Sequence, residues 1–232
     1  MRSKKAVVLL SGGLDSATAL YLAKSRGFDC RCLIFDYGQR HRREISSGRA
    51  IARKAGCAYQ VLKIKLPWKG SALLDKRARL PITECREPRT ENRKPSSIPS
   101  TYVPARNIIF LSFALSYAEA CGAGAIFIGA HAQDYSGYPD CRPEFYRAFN
   151  KVVVTGTKAG VEGKGIAIET PLIALTKAEI IRLGSSLGVP FELTWSCYRG
   201  GRKPCGVCDS CFYRARGFLQ AGVSCEKERQ KK

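Results

Sequence analysis

The stretch Ala6-Val-Val-Leu-Leu-Ser-Gly-Gly-Leu-Asp-Ser16 decides the fold of this 232-residue chain. Its first five residues are a short, continuously apolar run, which is typical of a strand buried on both faces of a parallel sheet. Two glycines follow, and apolar residues then recur with helical spacing from Ala17 to Lys24. A buried strand that enters a helix through a glycine turn predicts an α/β protein with a ligand at the helix N-terminus.

The glycine turn has the chemistry of a phosphate site. Gly12 and Gly13 let main-chain N–H groups converge on an anion, and the helix end adds a partial positive charge. The hydroxyls of Ser11 and Ser16 can donate to phosphate oxygens, while Asp15 can help to hold Mg²⁺ or set the loop. No Walker A motif occurs in the chain, and a plain Gly-Gly turn is the alternative. We predict an ATP site at Leu10, Ser11, Gly12, Gly13, Leu14, Asp15, Ser16, Ala17, Thr18, Ala19 and Leu20.

Strands and helices alternate along the rest of the chain. The patterns predict further strands at Cys30–Phe35, Tyr59–Lys65, Ala125–Gly129 and Ile166–Glu169, and helices at Arg42–Ala55, Asn107–Cys121, near Glu144–Lys151 and at Thr176–Leu187. This alternation predicts a twisted parallel sheet of about five strands with helices on both faces. Residues 66–104 hold six prolines and no sustained period, so we predict a long loop or lid there. We divide the chain into an ATP-binding domain, 1–190, and a cysteine-rich segment, 191–232, packed on it.

Four cysteines of that segment have the spacing of a metal site, Cys197-x7-Cys205-x2-Cys208-x2-Cys211. Four thiolates can close a tetrahedral shell around one Zn²⁺ without an open position, which is the pattern of a structural site. Cysteine ligation alone also fits an iron–sulfur cluster, so the residues leave that alternative open.

Composition limits the class of protein. The formal net charge of +20 favours polyanionic partners such as RNA, nucleotides and anionic metabolites, although solubility alone is the simpler explanation. No stretch approaches the roughly 18 consecutive apolar residues of a membrane span. Gly12, Gly13 and Asp15 interrupt the N-terminal apolar run too early for a signal peptide. We therefore expect a cytoplasmic protein.

The glycine turn closely resembles the PP-loop of ATP pyrophosphatases, which release pyrophosphate and leave AMP on a substrate oxygen. Four further segments are distinctive: Asp36-Tyr-Gly-Gln-Arg-His-Arg-Arg-Glu44, Tyr102-Val-Pro-Ala-Arg-Asn107, Asp134-Tyr-Ser-Gly-Tyr-Pro-Asp-Cys-Arg-Pro-Glu-Phe145 and Ser196-Cys-Tyr198. Together they resemble the QueC family of 7-cyano-7-deazaguanine synthases. The matches run in order from Val7 to about Gly217, so the resemblance covers nearly the whole chain.

The resemblance implies an adenine-nucleotide α-hydrolase-like sheet, zinc at the four cysteines, a homodimer and a place in queuosine or archaeosine synthesis. It also implies a reaction of 7-carboxy-7-deazaguanine with ammonia and MgATP, through an adenylated acid and an adenylated amide. Ala105 departs from the family, because many members carry glycine there. A positive φ at this position would strain alanine, but we expect alanine to be tolerated.

Substrate residues are expected beyond the carboxyl ends of the strands, where open parallel sheets bind ligands. A deazaguanine presents an amino-pyrimidinone edge, from which the carboxylate of Asp134 or Asp140 can accept hydrogen bonds. The carboxylate of the substrate suits the guanidinium of Arg142 or Arg106. For each residue alone, a salt bridge within a loop is the alternative.

The chain has only two histidines, His41 and His131, and either can contact phosphate or substrate or lie in solvent. The complete set of candidate substrate and catalytic residues is Arg40, His41, Arg106, Asp134, Ser136, Tyr138, Asp140, Arg142 and Lys177.

Two other classes of function remain open. A PP-loop enzyme that modifies tRNA directly, for example by thiolation, is favoured by the positive charge, and the basic surface predicts non-specific RNA affinity. However, thiolation needs a sulfur relay, whereas the clustered cysteines are better explained as zinc ligands. A nucleotide-binding module without catalysis is hard to reconcile with so many polar loops.

Overall fold

The computed structural model describes residues 4–68, 70–75, 77–81, 98–131 and 137–224. Its strands are β1 (Lys4–Leu9), β2 (Phe28–Asp36), β3 (Ala58–Lys63), β4 (Ala125–Phe127) and β5 (Ala167–Glu169). Its α-helices are α1 (Leu14–Ser25), α2 (Arg43–Lys54), α3 (Arg106–Cys121), α4 (Pro143–Gly156), α5 (Lys158–Val161), α6 (Lys177–Ser186) and α7 (Asp209–Ala221). Short 3₁₀ turns occupy Pro139–Cys141 and Phe191–Leu193.

The five strands form one parallel sheet in the order β3-β2-β1-β4-β5. β1 lies at the centre, where Val7 is opposite Arg31 of β2 and Ile126 of β4. The predicted parallel five-stranded sheet is therefore confirmed.

Both faces of the sheet are covered, because side chains alternate along each strand. Ala6 and Val8 of β1 point into a core layer beneath α1, α2, α6 and α7, whereas Val7 and Leu9 point into a second layer beneath α3 and α4. The first layer includes Leu20, Ile51, Ile180 and Phe218, and the second includes Leu111, Phe149 and Val153. A strand buried on both sides has no polar face, which explains the continuous apolar run of β1.

Two helical regions differ from the sequence prediction. The short helix expected near 144–151 extends over 14 residues of α4, with Pro143 in its first turn, and α5 follows it. The 13-residue helix α7 was not predicted, since cysteines and a glycine interrupt its pattern. Gly217 is needed there, because a Cβ at this position would lie 2.5 Å from Lys177 Cγ. Close packing against α6 thus favours glycine at this position, although glycine has a low intrinsic propensity for helices.

The loop predicted at 66–104 carries no helix or strand in its described parts, and residues 82–97 lie outside the described residues. Leu73 and Val103 are nevertheless buried in the second core layer. The described ends of this loop are therefore packed on the sheet domain. Among the described helices, none is long and apolar enough to cross a membrane.

Candidate active site and metal centre

The glycine turn lies at the topological switch point of the sheet, where β1 and β4 are neighbours. In such sheets ligands bind in the crevice beyond the carboxyl ends of the two strands. Residues 129–131 follow β4 and run directly beside the turn that follows β1. A Cβ at Gly129 would lie 2.8 Å from the carbonyl carbon of Asp15 and 2.8 Å from the amide nitrogen of Ser16. The segment after β4 and the turn after β1 therefore pack directly against each other at the switch point.

Gly12 is fixed by its surroundings as well as by its backbone. Its φ is +88°, and a Cβ there would lie 2.2 Å from the carbonyl oxygen of Glu44 and 2.7 Å from the amide nitrogen of Gly48. On the other side, the N–H of Trp195 donates to the Gly12 carbonyl oxygen at 2.9 Å. The turn is thus held between α2 and the start of the cysteine-rich segment.

The polar atoms of the turn are arranged around the N-terminus of α1. Ser11 is exposed, and its Oγ lies 3.0 Å from Ser16 Oγ and accepts from the N–H of Gly13 at 3.3 Å. Ser16 Oγ donates to the Gly13 carbonyl oxygen at 3.1 Å. Two hydroxyls and the first N–H groups of a helix therefore lie together, which is an arrangement suited to an anion.

The other members of the predicted ATP site are mainly core residues. Their side chains are buried in the first core layer or bonded to the helix backbone: Leu10, Leu14, Ala17, Thr18, Ala19 and Leu20. These residues position the turn, and only their main-chain atoms at the start of α1 are available to a nucleotide.

A second charged group lies beside the turn. Lys177, the first residue of α6, places its Nζ 2.7 and 2.9 Å from the two carboxylate oxygens of Asp15 and 2.8 Å from Nε2 of His131. Burial alone would raise the pKa of Asp15, but the adjacent Lys177 ammonium opposes this effect, and the pKa of Asp15 lies below its ordinary value. Asp15 is therefore a carboxylate that fixes Lys177 beside the loop.

Arg106 and Asp140 meet at the N-terminus of α3. Asp140 Oδ2 accepts from the N–H of Asn107 at 3.0 Å, and the Asp140 carbonyl oxygen accepts from Asn107 Nδ2 at 3.0 Å. Burial alone would lower the pKa of Arg106, but Tyr37, Cys141 and Asp140 raise it above its ordinary value. The Asp140 carboxylate, interpreted from sequence as a substrate ligand, is buried and bonded to the helix backbone in this structure.

The other candidate substrate residues between β4 and α4 differ in their surroundings. The Tyr138 hydroxyl lies 2.6 Å from Thr101 Oγ1 and joins two loops. Arg142 is exposed at the start of α4. Asp134 and Ser136 lie outside the described residues.

Arg40 and His41 mainly hold the loop that follows β2. The Arg40 guanidinium donates to the carbonyl oxygens of Ala78 at 2.8 Å and Ala72 at 3.3 Å, so it ties the packed part of the long loop. His41 is buried, and its Nε2 lies 2.9 Å from the carboxylate of Glu44. No hydrogen-bond partner is found for His41 Nδ1 among the described residues. In this structure the Arg40 guanidinium is thus bonded to the long loop, whereas one ring nitrogen of His41 is unsatisfied among the described residues.

The four clustered cysteines converge as predicted. Their Sγ atoms all lie within 4.8 Å of one another, and those of Cys205 and Cys211 are 4.0 Å apart. A tetrahedral ion with Zn–S bonds of about 2.3 Å places its sulfurs about 3.8 Å apart, so the cluster fits a single metal ion. The N–H groups of Cys205 and Cys208 each lie 3.4 Å from a cysteine sulfur, on Cys197 and Cys205 respectively. Such N–H···S contacts stabilise thiolates.

The cysteine segment is fastened to the turn through Trp195 and Arg43. The Arg43 guanidinium lies 4.3 Å from the centre of the Trp195 ring and donates to the carbonyl oxygens of Gly201 and Arg202. Trp195 Nε1 donates to the Cys197 carbonyl oxygen at 3.0 Å. Neither residue was identified from the sequence. The position of Trp195 two residues before Cys197 is a signal that could have identified it, because a buried indole needs a hydrogen-bond partner for its N–H.

Comparison with known proteins gives one family. The family model described as "Queuosine biosynthesis protein QueC" matches residues 5–222. A 7-cyano-7-deazaguanine synthase from Trichodesmium erythraeum is 53% identical over 222 residues, 95% of this chain and 98% of that protein. A 7-cyano-7-deazaguanine synthase from Thermoplasma acidophilum is 51% identical over 96% of this chain and 90% of that protein.

Among solved structures, NMN synthetase from Francisella tularensis is similar with a TM-score of 0.51 and 15% identity, over 99% of this chain and 82% of that chain. At this identity the likeness concerns the fold alone, and it agrees with the parallel sheet described above.

Proposed function

Since this chain belongs to the QueC family and makes 7-cyano-7-deazaguanine with ATP in a C–N bond-forming reaction of the queuosine pathway, we propose that it acts through two adenylated intermediates. Its substrates are 7-carboxy-7-deazaguanine, ammonia and ATP. The observation that supports this most is that the Ser11–Ser16 hydroxyl pair and the Asp15–Lys177 ion pair both lie at the first turn of α1.

The proposed chemistry activates the same carbon twice. A carboxylate oxygen of the substrate attacks the α-phosphorus of ATP, and pyrophosphate leaves to give an acyl adenylate. Ammonia displaces AMP, loses a proton and forms the amide. The amide oxygen then attacks the α-phosphorus of a second ATP and pyrophosphate leaves, after which loss of AMP and the two amide protons gives the nitrile. Each nitrile therefore costs two ATP and releases two AMP and two pyrophosphates.

The residues of the turn carry the proposed electrostatic part of this reaction. Negative charge accumulates on the phosphates as pyrophosphate leaves, and preorganised N–H groups and cations stabilise that charge. The N–H groups at the start of α1, the Ser11 and Ser16 hydroxyls and the Lys177 ammonium are positioned to do so. We propose that Mg²⁺ arrives with ATP, because both carboxylate oxygens of Asp15 are already bonded to Lys177.

The deazaguanine is proposed to bind in the same crevice, near the loop that leads into α4. Arg142 is the candidate partner for the substrate carboxylate, since its guanidinium is exposed whereas Arg106 is engaged with Tyr37. Asp134 and Ser136 remain candidates for the pyrimidinone edge. Asp140 and Arg40 are more simply explained as residues that position these loops.

The metal is proposed to be one structural Zn²⁺, held by Cys197, Cys205, Cys208 and Cys211. The four-sulfur donor set, the sulfur spacing of a single ion and three buried ligands support this proposal. When bound, the ion supplies a cross-link that fixes the segment against the turn. An iron–sulfur cluster is the competing occupant and is distinguished by iron and acid-labile sulfide.

We further propose a homodimer that acts in the cytoplasm, where ATP and the precursor base are available. Its basic surface is proposed to bind RNA only non-specifically. Sedimentation velocity tests the dimer, and a steep loss of RNA affinity with added salt tests the non-specific character.

The deciding experiment uses nuclease-treated protein with 7-carboxy-7-deazaguanine, ammonium and MgATP, and follows AMP and the nitrile by mass spectrometry. We expect the nitrile without RNA, and two AMP per nitrile. A Ser11→Ala variant should lose AMP formation, whereas Lys158→Ala, at an exposed lysine of α5, should keep it. AMP formed only after tRNA is added back would instead support direct RNA modification. One AMP per nitrile would contradict the double activation.

A further inference from the structure

His131 is not among the candidate catalytic residues, yet it contacts the charged centre of the proposed ATP site. It follows β4, and its side chain is only 4% exposed. Its Nε2 lies 2.8 Å from Lys177 Nζ and 3.8 Å from Asp15 Oδ2. The imidazole therefore reaches Lys177 from the segment after β4, whereas Asp15 reaches it from α1.

The chemistry of the Lys177 contact fixes the state of the imidazole. A lysine ammonium donates three hydrogen bonds and accepts none, so Nε2 of His131 must be the acceptor. In this contact the ring is neutral and carries its proton on Nδ1. One N–H of the ammonium can be shared between the two carboxylate oxygens of Asp15 and a second is directed at His131, which leaves the third for a phosphate oxygen.

Lys177 is held on three sides by these contacts. Asp15 holds it from α1, and His131 holds it from the segment after β4. The third side is α7, where Gly217 lies so close to the lysine stem that a Cβ would be 2.5 Å from Lys177 Cγ. With 11% of its side chain exposed, Lys177 has little room to adopt another rotamer.

We propose that His131 is a positioning residue, which directs the Lys177 ammonium toward the phosphates at the mouth of the turn. Asp15 alone would draw the ammonium toward α1, and the His131 acceptor, on the segment after β4, opposes that displacement. The cation is then kept beside the first turn of α1, where the leaving pyrophosphate is proposed to develop charge. This proposal rests on the function proposed above.

The test is a double-mutant cycle on AMP formation. His131→Leu removes the acceptor, and we expect kcat to fall about 10- to 100-fold, with KM for ATP changing less. A loss of this size corresponds to the free energy of one hydrogen bond to a charged group. His131→Gln restores an acceptor near the position of Nε2 and should recover much of the rate. In a Lys177→Met background, His131→Leu should cause almost no further loss, because the residues act through one group.

Two outcomes separate the possible failures. Equal losses from His131→Leu in both backgrounds, or an unchanged kcat, would overturn the positioning role alone. Full AMP formation by Lys177→Met would overturn the loop assignment as well. Thermal midpoints and metal content of each variant exclude loss of fold.

A spectroscopic measurement tests the contact independently of activity. Protein labelled with ¹⁵N-histidine shows two rings, and a His41 variant assigns them. The His131 Nε2 resonance should have the character of an unprotonated acceptor and should shift in Lys177→Met. An Nε2 that carries the proton, or a resonance unaffected by Lys177→Met, would contradict the proposal.

Discussion

The main-chain N–H of Trp195 donates a hydrogen bond to the carbonyl oxygen of Gly12, 2.9 Å away. Trp195 lies near the start of the cysteine segment, and the first proposed metal ligand, Cys197, is two residues further on, whereas Gly12 is the centre of the proposed phosphate turn. The proposed zinc site is therefore part of the support of the ATP site, although it supplies no ligand to the nucleotide.

This connection predicts that loss of metal impairs ATP turnover. Cys205→Ser or Cys208→Ser should remove about one zinc per chain and lower AMP formation together with folded structure, because metal binding and local folding are coupled. Cys121→Ser, at a cysteine outside the cluster, should retain both. Metal analysis measures the zinc content of each variant, and circular dichroism measures its folded structure. Iron with labile sulfide, or full activity without metal, would contradict the zinc assignment.

The turn itself predicts a loss of catalysis without a loss of fold. Ser11→Ala should abolish AMP formation, because the hydroxyl is exposed and contributes little to the core. Its free energy of unfolding should stay within about 0.5 kcal/mol of wild type. Ser16→Ala and Asp15→Ala should also abolish turnover. Wild-type AMP formation in these variants would show that phosphate binds elsewhere.

Gly12 and Gly27 form a matched pair for the steric argument. Their φ values are +88° and +80°, but a Cβ at Gly12 meets backbone at 2.2 Å, whereas one at Gly27 meets nothing within 4 Å. Gly27→Ala should cost about 1–2 kcal/mol from its backbone conformation. Gly12→Ala should cost clearly more, because α2 must also move. Urea unfolding compares the two, and equal costs would contradict the close approach of α2.

Ala105 gives a prediction of opposite sign. Its φ of 54° and ψ of 23° are left-handed, and it is the only non-glycine described residue with a positive φ. The positive φ that would strain an alanine is therefore present at this position, whereas the expectation that alanine is tolerated remains a prediction. Ala105→Gly should stabilise the protein by about 0.5–1 kcal/mol, because relief of the strain exceeds the added chain entropy. Ala120→Gly, on the exposed side of α3, should destabilise it by about 1 kcal/mol.

Asp15 predicts a dependence of stability on pH. Its pKa is lowered in the folded protein, so its ion pair stabilises the fold above the ordinary carboxyl pKa of 3.8 and is lost as pH falls through the folded value. The difference in unfolding free energy between wild type and Asp15→Asn should therefore be constant near neutral pH and shrink below about pH 4. A difference that grows on acidification would have the wrong sign for a lowered pKa.

The sequence predicted the sheet well because β1, β2 and β4 carry apolar runs that no surface strand would have. The helix α7 escaped prediction, since its glycine is favoured by contact with Lys177 and not by local propensity. The cysteines were found by their spacing, which a tetrahedral ion imposes along the chain.

Contacts between distant segments account for what sequence reasoning did not find. Asp15 and Lys177 are 162 residues apart in sequence, so no local pattern predicts their ion pair. Asp140 has the residue type of a substrate ligand, but the fold bonds it to the N-terminus of α3. The division of the chain at residue 190 and the substrate roles of Arg142 and Ser136 remain predictions.

The position of α7 has a consequence for biosynthesis. Phe218 lies in the same core layer as Leu20, and Gly217 packs closely against the side chain of Lys177. A nascent chain can make β1, the turn and α1 early, but the cover over them is encoded some two hundred residues later. The core layer beneath α1 is therefore complete only when the last helix of the described residues has been synthesised and has packed on it.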